Sequence, residues 1–164
     1  MTLLINVCSL FMITYRRATI EDIDILIDLR VEFLYEALKV SKDVSNKELR
    51  NSLRDYFSKT MPQDEFIAWL AIHEDEIIAT SGLSFYTVAP SFANISGRIG
   101  YILNMYTKPN WRRKGIGKTL FEKMLFEAKQ KGISKLSLHA TSDGRPLYEI
   151  FGFTTDEGMM AKKI

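Results

Sequence analysis

Between residues 13 and 61, the hydrophobic positions predict one strand followed by two helices. The segment 13–19 has the pattern of a strand, and apolar residues recur at helical spacing within 19–38 and again within 45–61. Each helical segment opens with a residue pair typical of a capping box, Thr19 with Asp22 and Ser45 with Glu48. The chain is therefore expected to begin as β-α-α.

Three strands are predicted to follow in close succession. Residues 65–74 and 76–88 have strand-like patterns, and they are joined at Glu74 and Asp75 by a tight acidic turn typical of a hairpin. A loop rich in small residues then leads to a third run, 98–107, which is apolar on both faces and therefore suits a central strand.

The last third of the chain alternates between helical and strand patterns. A helix is predicted over 117–131, ending at Gly132, then a strand over 134–141 and a short helix over 145–151. One or two short strands are predicted between 152 and 164. The order β-α-α-β-β-β-α-β-α-β(-β) predicts an α+β fold, with a mixed, mostly antiparallel central sheet flanked by helices on both faces.

Composition narrows the class of protein. The chain has 164 residues, of which 46% are hydrophobic and 26% charged, as in a globular protein with a sizeable core. The formal net charge of +2 is too small to indicate a nucleic-acid or membrane partner. Cys8 is the one cysteine, so no internal disulfide can form, and no zinc-binding spacing is present. We expect a cytoplasmic protein without a metal site.

Residues 1–11 are expected to form an extension ahead of the domain. They are apolar but lack the positively charged start and the small-residue cleavage site of a signal peptide. Met12, directly before the first strand, is a more natural beginning, so we expect a single domain over 12–164 with Met12 as a candidate start of translation. The mass of the N-terminal peptide of natively expressed protein tests this expectation.

The segment with the clearest functional signal is RRKGIGK at 112–118, between a predicted strand and a predicted helix. The first turn of a helix has unpaired N–H groups and the positive end of the helix dipole, and both attract anions. Gly115 and Gly117 keep side chains away from a bound phosphate and permit unusual dihedral angles. Positive charge is added by Arg112, Arg113, Lys114 and Lys118. The pattern predicts a pyrophosphate site.

Two common phosphate-binding motifs fit this turn poorly. A P-loop ending at Gly117-Lys118 requires a glycine five positions before Gly117, where the chain has Arg112. A dinucleotide fingerprint requires a third glycine at position 120, which is leucine, and an acidic ribose ligand. Two other interpretations stay open: a solvated basic helix start without a ligand, and a nucleic-acid contact, although the chain has no recognised nucleic-acid motif.

Two segments together resemble one family. Arg112-x-x-Gly115-x-Gly117 after a strand resembles the Q/R-x-x-G-x-G/A motif of the GNAT acetyltransferase superfamily, and RPLYEIFGF at 145–153 resembles its Y-x-x-x-G-F segment. The resemblance covers residues 12–164, and the predicted order of elements is also that of the family. It implies an acetyl-CoA-dependent N-acetyltransferase in which a primary amine attacks the thioester directly.

The resemblance also implies where acetyl-CoA, the co-substrate, would bind. Its pyrophosphate would contact the backbone amides of residues 113–118. Its pantetheine arm would lie along the fourth strand, which separates from the fifth strand in this family, and would bond the backbone of Met105 and Thr107. The implied cofactor-binding residues are Met105, Tyr106, Thr107, Arg112, Arg113, Lys114, Gly115, Ile116, Gly117 and Lys118.

Catalytic roles follow from the resemblance only in part. Tyr148 occupies the family's tyrosine position and is the expected acid for the leaving thiolate, and a backbone N–H of Met105 or Tyr106 is the expected donor to the oxyanion. The attacking amine must also lose a proton. Many relatives have a glutamate on the fourth strand for this step, where this chain has Leu103 and Asn104. No base is assigned, and the candidates are Glu32, Glu36 and His139.

The sequence does not identify the acceptor. Its pocket should be formed by the first two helices, the loop 87–98 and the end of the fourth strand, a region that varies between relatives. The acceptor is expected to be a small-molecule or peptide amine, and the oligomeric state, monomer or homodimer, stays open. Thr141 stands where the family often has asparagine. The alternative function is a non-catalytic module of the same fold that binds acyl-CoA as a sensor or binds a partner.

Overall fold

Five strands form one mixed sheet. In the computed structural model, which describes residues 12–155, 158 and 160–163, the strands are β1 (Ile13–Arg17), β2 (Phe66–His73), β3 (Glu76–Thr87), β4 (Arg98–Thr107) and β5 (Lys135–Leu138). Each strand lies beside its neighbour in the sequence. The first four strands pair antiparallel, and β5 runs parallel to β4. The predicted mixed, mostly antiparallel sheet is confirmed.

Four α-helices occur where the sequence predicted them: α1 (Ile23–Ala37), α2 (Lys47–Thr60), α3 (Ile116–Gln130) and α4 (Arg145–Ile150). The capping box of Thr19 and Asp22 is present and closes a single 3₁₀ turn ahead of α1. The predicted cap of α2 by Ser45 was wrong, because Asn46 occupies the N-cap position. The Asn46 side chain donates to the Tyr35 hydroxyl and accepts from Arg50, so a contact with α1 contributes to the start of α2.

The helices cover both faces of the sheet. Phe66, Ala68 and Leu70 of β2 pack in one hydrophobic cluster with α1 and α2. Ala71 of β2 packs instead with the side chains of α3, as the alternation of side chains along a strand requires. We call these two surfaces the α1 face and the α3 face. Tyr148 of α4 belongs to a cluster on the α3 face.

The strands predicted between 152 and 164 are not found. The described residues of this segment, 152–155, 158 and 160–163, lie outside any strand. Phe153 donates its backbone N–H to the Tyr148 carbonyl at 3.1 Å, and its ring packs on Phe121. The chain therefore folds back onto the end of α4 where an extended continuation was expected.

Expectations from the sequence also concern an N-terminal extension, membrane spans and metal sites, and the described residues cover only part of the chain. The predicted extension, residues 1–11, lies outside them. Within the described part of the chain, no helix is both long enough and apolar enough to cross a bilayer. The same residues contain no group of three or more His, Cys, Asp or Glu side chains arranged to hold a metal ion.

The Asp22 carboxylate connects β1 to the start of α1. It accepts two guanidinium N–H groups of Arg16, each at 2.7 Å, and the backbone N–H of Thr19 at 2.8 Å. Asp22 is only 8% exposed. The hydrogen bond from Arg16, and to a smaller extent that from Thr19, holds the pKa of Asp22 below its ordinary value, although burial opposes the shift.

We expect Asp22→Asn to lower the free energy of unfolding at pH 7 by about 1–2 kcal/mol, because it weakens both the cap and the charge-assisted pair. The folded pKa is depressed, so the carboxylate's contribution is complete above its unfolded pKa, about 4. It is lost as pH falls through the folded value. Urea unfolding from pH 7 down to pH 3 measures this contribution.

The control is Asp24→Asn, which removes an exposed pair with Arg54. We expect it to change stability by less than about 0.5 kcal/mol. A difference between wild type and Asp22→Asn that stays constant down to pH 3 would contradict the assignment.

Candidate functional site

β4 and β5 separate partway along their length and open a fork in the sheet. Their parallel pairing runs from Ile99 opposite Lys135 to Ile102 opposite Leu138. β5 ends at that point, whereas β4 continues to Thr107. Residues 103–107 therefore have no partner strand, among the residues described, on the side away from β3. We call this opening the fork.

A β-bulge lies where the fork opens. The pairing of β4 with β3 passes from Leu103 opposite Gly82 to Tyr106 opposite Thr80, so β4 has one residue more than β3 in this interval. Asn104 adopts a left-handed conformation with φ of 55°. Leu103 and Met105 consequently pack in clusters on opposite faces of the sheet. The bulge bends β4 at the mouth of the fork.

Backbone groups of β4 beyond the bulge are directed into the fork. Tyr106 pairs with Thr80 of β3, and the backbone N–H of Lys108 donates to the Ile78 carbonyl at 2.9 Å. Backbone groups alternate in direction along a strand, so those of Met105 and Thr107 face away from β3. Of the two amides expected to donate to an oxyanion, that of Met105 is thus the one directed into the fork.

The basic turn follows β4 directly. A 3₁₀ turn over Pro109–Trp111 leads into residues 112–115, and α3 begins at Ile116. Arg113 and Gly115 both have positive φ, 62° and 80°. Left-handed residues in such a turn direct successive N–H groups into one concavity. Gly115 is the N-cap residue of α3 and has no side chain to accept from its first amides, so these groups are available to an anion.

Arg112 is engaged within the protein. Its Nε donates to the Thr107 carbonyl at 2.9 Å, and its Nη2 donates to the Glu36 carboxylate at 2.7 Å. The guanidinium also lies 5.6 Å from the centre of the Tyr106 ring. The hydrogen bond to Glu36 raises the pKa of Arg112. Arg112 therefore connects α1 to β4 and to the turn.

The other cations of the turn are more exposed. The ammonium of Lys114 lies 4.7 Å from the centre of the Trp111 ring, and that of Lys118 lies 4.0 Å from a Glu122 carboxylate oxygen. Arg113 is exposed and has no ion pair with any residue that the structure describes. An anion held by the turn would therefore meet Arg113 and Lys118 more readily than Arg112.

The two glycines of the motif have different structural roles. A Cβ atom added at Gly115 would meet nothing within 4 Å, but the positive φ disfavours any other residue. A Cβ atom at Gly117 would meet only the Leu147 side chain, at an ordinary 3.8 Å, and the backbone there is helical. Neither packing nor conformation therefore requires glycine at 117. Glycine at 117 leaves a space beside the first turn of α3 that a ligand could occupy.

Tyr148 lies under the fork on the α3 face, in one cluster with Ile102 and Met105 of β4. It is 8% exposed, and its ring packs against Phe121 at 5.4 Å. Its hydroxyl forms no hydrogen bond within the described part of the chain. Burial raises the pKa of Tyr148, so the hydroxyl stays protonated at neutral pH. A nearby Thr141 hydroxyl accepts from the backbone N–H of Gly144 at the start of α4.

The three side chains considered as a base lie in different surroundings. Glu36 pairs with Arg112, and Glu32 lies 3.2 Å from Lys42. His139 follows the last residue of β5, and its Nδ1 lies 2.5 Å from the Tyr101 hydroxyl. His139 thus lies beside the end of β5, whereas Glu32 and Glu36 lie on α1 near Tyr106 of β4.

A groove of about 460 Å³ lies on the α1 face near the end of β4. Its lining comes from α1, from Glu76 of β3 and from the end of β4 with the turn after it; the side chains include Leu29, Glu32, Tyr106 and Trp111. The groove overlaps the predicted acceptor region at α1 and at the end of β4, and acceptor binding there stays a prediction. The groove includes no residue of α2 or of the loop 87–98.

Sequence reasoning missed two residues beside the fork. Tyr101 pairs with Ser137 one position before the strands separate. Burial raises the pKa of Tyr101, and the charge of Arg30 on α1 opposes that rise. A signal for Arg30 was present, since it follows Leu26 and Ile27 at helical spacing on the apolar stripe of α1. Tyr101 had no such signal, because its proximity to His139 depends on the pairing of β4 with β5.

Known proteins share sequence patterns and the overall fold with this chain. A sequence model of the acetyltransferase (GNAT) family matches residues 31–153. A predicted acetyltransferase from Clostridium acetobutylicum, crystallised with acetyl-CoA, is 31% identical and superposes with a TM-score of 0.86 over 93% of this chain and 96% of that one. A GCN5-related N-acetyltransferase from Ralstonia eutropha JMP134 is 26% identical, with a TM-score of 0.84 over 93% and 99%.

A more distant sequence relative is the glucosamine 6-phosphate N-acetyltransferase of Trypanosoma brucei brucei. It is 28% identical over 79 residues, which are 48% of this chain and 54% of that enzyme. The match thus spans about half the length of the curated relative.

The different roles of the two glycines can be tested by stability. Gly115→Ala should lower the free energy of unfolding by about 1–2 kcal/mol, because alanine disfavours a positive φ. Gly117→Ala should raise it by up to about 1 kcal/mol, because alanine favours a helix. Urea unfolding of both variants measures the difference. Equal destabilisation by the two substitutions would show that Gly117 also has a structural role.

Proposed function

The chain belongs to the GNAT acetyltransferase family, and we propose that it transfers an acetyl group from acetyl-CoA to a primary amine. The observation that carries the proposal is the fork between β4 and β5, with the open first turn of α3 at one end and Tyr148 beneath it. The fork suits the pantetheine arm of acetyl-CoA, the first turn of α3 suits its pyrophosphate, and Tyr148 suits its thioester sulfur. The reaction is proposed to take place in the cytoplasm, with a small-molecule or peptide amine as acceptor.

The residues at the fork fit the proposed co-substrate. The backbone groups of Met105 and Thr107 face away from β3 and could pair with the amides of a pantetheine arm as a further strand would. The amides of residues 113–118 could hold the pyrophosphate, with Arg113 and Lys118 supplying charge. Gly117 would allow the phosphates to approach the helix closely.

Acetyl-CoA supplies an activated thioester, and the protein would supply groups that bind charge and move protons. The backbone N–H of Met105 is directed into the fork and would donate to the carbonyl oxygen as negative charge develops there. The Tyr148 hydroxyl is protonated at neutral pH and would give its proton to the leaving sulfur. Both groups border the fork, Met105 from β4 and Tyr148 from the α3 face.

The acceptor amine must reach the fork in its neutral form. A lysine-like amine has a pKa near 10.4, so roughly one molecule in two thousand is neutral at pH 7. No carboxylate lies on β4 at the bulge, where the residues are Leu103 and Asn104. We assign no base; the open candidates are His139, whose Nδ1 lies 2.5 Å from the Tyr101 hydroxyl, and Glu32 and Glu36 of α1.

We expect the protein to bind acetyl-CoA, as measured by calorimetry, and to bind dephospho-CoA, ATP and NAD more weakly. Gly117→Ala should weaken acetyl-CoA binding roughly tenfold or more, because charge-assisted hydrogen bonds to the phosphates would be lost. The same variant should be at least as stable as wild type. Loss of binding therefore could not be attributed to unfolding.

The control for this variant is Gln130→Ala, which adds an alanine at the exposed last turn of the same helix. It should leave acetyl-CoA binding unchanged. If the folded wild-type protein does not bind acetyl-CoA, the proposed function is wrong. If Gly117→Ala binds acetyl-CoA as wild type does, the phosphates do not lie on the first turn of α3.

The role of Tyr148 can be tested by Tyr148→Phe. We expect kcat to fall by about 10²–10⁴-fold, the usual contribution of a positioned acid. Stability should change little, because the hydroxyl forms no hydrogen bond with the described residues, and acetyl-CoA binding should be retained. Acetyl transfer to an amine panel that includes glucosamine 6-phosphate, the substrate named for the Trypanosoma relative, measures the loss.

A matched control for Tyr148→Phe is Tyr15→Phe, which removes a hydroxyl on β1 far along the sheet from the fork. It should leave kcat unchanged. Wild-type kcat in Tyr148→Phe would exclude Tyr148 as the acid. Binding of acetyl-CoA without transfer to any amine would favour the alternative, a non-catalytic module that binds acyl-CoA.

A further inference from the structure

An arginine interrupts the apolar stripe of α1. Leu26 and Ile27 are fully buried, and Arg30 follows them at helical spacing. Its immediate neighbours in the chain, Leu29 and Val31, are both buried. The Arg30 side chain is half-buried. Its position on the stripe directs its guanidinium toward the sheet.

The charge of Arg30 has no acidic partner among the residues described. No carboxylate of this part of the chain forms an ion pair with it. Its Cζ lies 5.6 Å from the centre of the Phe33 ring, and its charge opposes the rise that burial causes in the pKa of Tyr101. The arginines of α2 differ, because Arg50 and Arg54 each pair with an aspartate of α1. Removing a charge from water without a partner is unfavourable. Burial accordingly lowers the pKa of Arg30.

Arg30 lies beside the fork on the α1 face. Tyr101 pairs with Ser137 one position before β4 and β5 separate, and its hydroxyl contacts His139 just beyond the end of β5. Tyr56 of α2 donates to the Ser84 hydroxyl of β3, which is opposite Tyr101. The Tyr56, Ser84 and Tyr101 hydroxyls thus lie on the α1 face, opposite Tyr148, and Arg30 extends from the helix that covers this face. An acceptor that enters from α1 and α2 would reach this cluster.

We propose that the acceptor carries a compact anionic group, a phosphate monoester or a carboxylate, in addition to its amine, and that Arg30 and the Tyr101 hydroxyl bind this group. A guanidinium matches both anions through paired N–H donors. The Tyr101 hydroxyl adds one more donor in the tautomer in which His139 Nδ1 donates to the Tyr101 oxygen. Binding the anion would supply the partner that Arg30 lacks. This inference rests on the proposed acetyl transfer and narrows its substrate class.

Matched pairs of acceptors test the inference by activity. Glucosamine with glucosamine 6-phosphate tests a phosphate, and cadaverine with lysine tests a carboxylate. For at least one pair, wild type should prefer the anionic member in kcat/KM by roughly tenfold or more. Arg30→Met should reduce this preference to near one, mainly through KM, and Arg30→Lys should retain part of it.

The variants can be checked for folding and specificity. Arg30→Met should fold at least as stably as wild type, because it removes a half-buried charge without a partner. It should also bind acetyl-CoA as wild type does. The matched control is Arg54→Met, which removes an exposed arginine of α2 and should keep the wild-type preference.

A second measurement does not depend on transfer. The ¹⁵Nε–H resonance of Arg30, assigned by its absence in Arg30→Lys, should shift and saturate on titration with glucosamine 6-phosphate or lysine, but not with glucosamine or cadaverine. A saturating shift without any acetyl transfer would support the anion site and refute the proposed function. Two results would overturn the anion site. One is acetyl transfer with equal kcat/KM for the anionic and the neutral acceptor in both pairs. The other is a preference for the anionic acceptor that Arg30→Met leaves unchanged.

Discussion

The early separation of β4 from β5 is the constraint on which the rest of the site depends. Pairing stops at Ile102 and Leu138, and the bulge at Asn104 bends β4 immediately afterwards. The backbone groups of an open edge within a sheet are available to a further strand or to an extended ligand. The opening leaves the backbone groups of Met105 and Thr107 without a partner strand among the described residues, between the start of α3 and Tyr148.

Arg112 connects α1 to the end of β4 and to the basic turn. It was expected to contact the cofactor, yet its guanidinium bonds to Glu36 of α1 and to the Thr107 carbonyl. The helix that borders the acceptor side is therefore linked to the turn that would hold the phosphates. The charge of the turn that remains available for an anion belongs mainly to Arg113 and Lys118. The basic motif thus combines an arginine engaged within the protein with backbone amides that are available to an anion.

Sequence patterns predicted the parts of the fold that depend on local periodicity. The bounds of β4 and the hairpin of β2 and β3 agree with the structure, because long apolar runs and tight turns are local signals. The cap of α2 and the chain after α4 were predicted wrongly, since Asn46 and Phe153 are placed by contacts with Tyr35 and Phe121. These contacts join elements distant in sequence, which periodicity cannot reveal.

The parts of the candidate site that belong to a sequence motif were predictable. The parts that depend on how the strands pair were not. The glycine turn and Tyr148 belong to recognisable segments. The bulge at Asn104 depends on how β4 registers with β3, and the contact of Tyr101 with His139 depends on β5. Arg30 is an intermediate case. Its place on the apolar stripe of α1 could be read from the sequence, but its lack of an acidic partner among the described residues could be seen only in the folded chain.

The binding of acetyl-CoA in the fork is tested most directly by backbone amide NMR with and without acetyl-CoA. The amides of Met105, Thr107 and residues 113–118 should show the largest shifts, and those of Met105 and Thr107 should exchange with solvent more slowly in the complex. Shifts confined to other parts of the chain, or unchanged exchange at Met105 and Thr107, would contradict a ligand that pairs with β4.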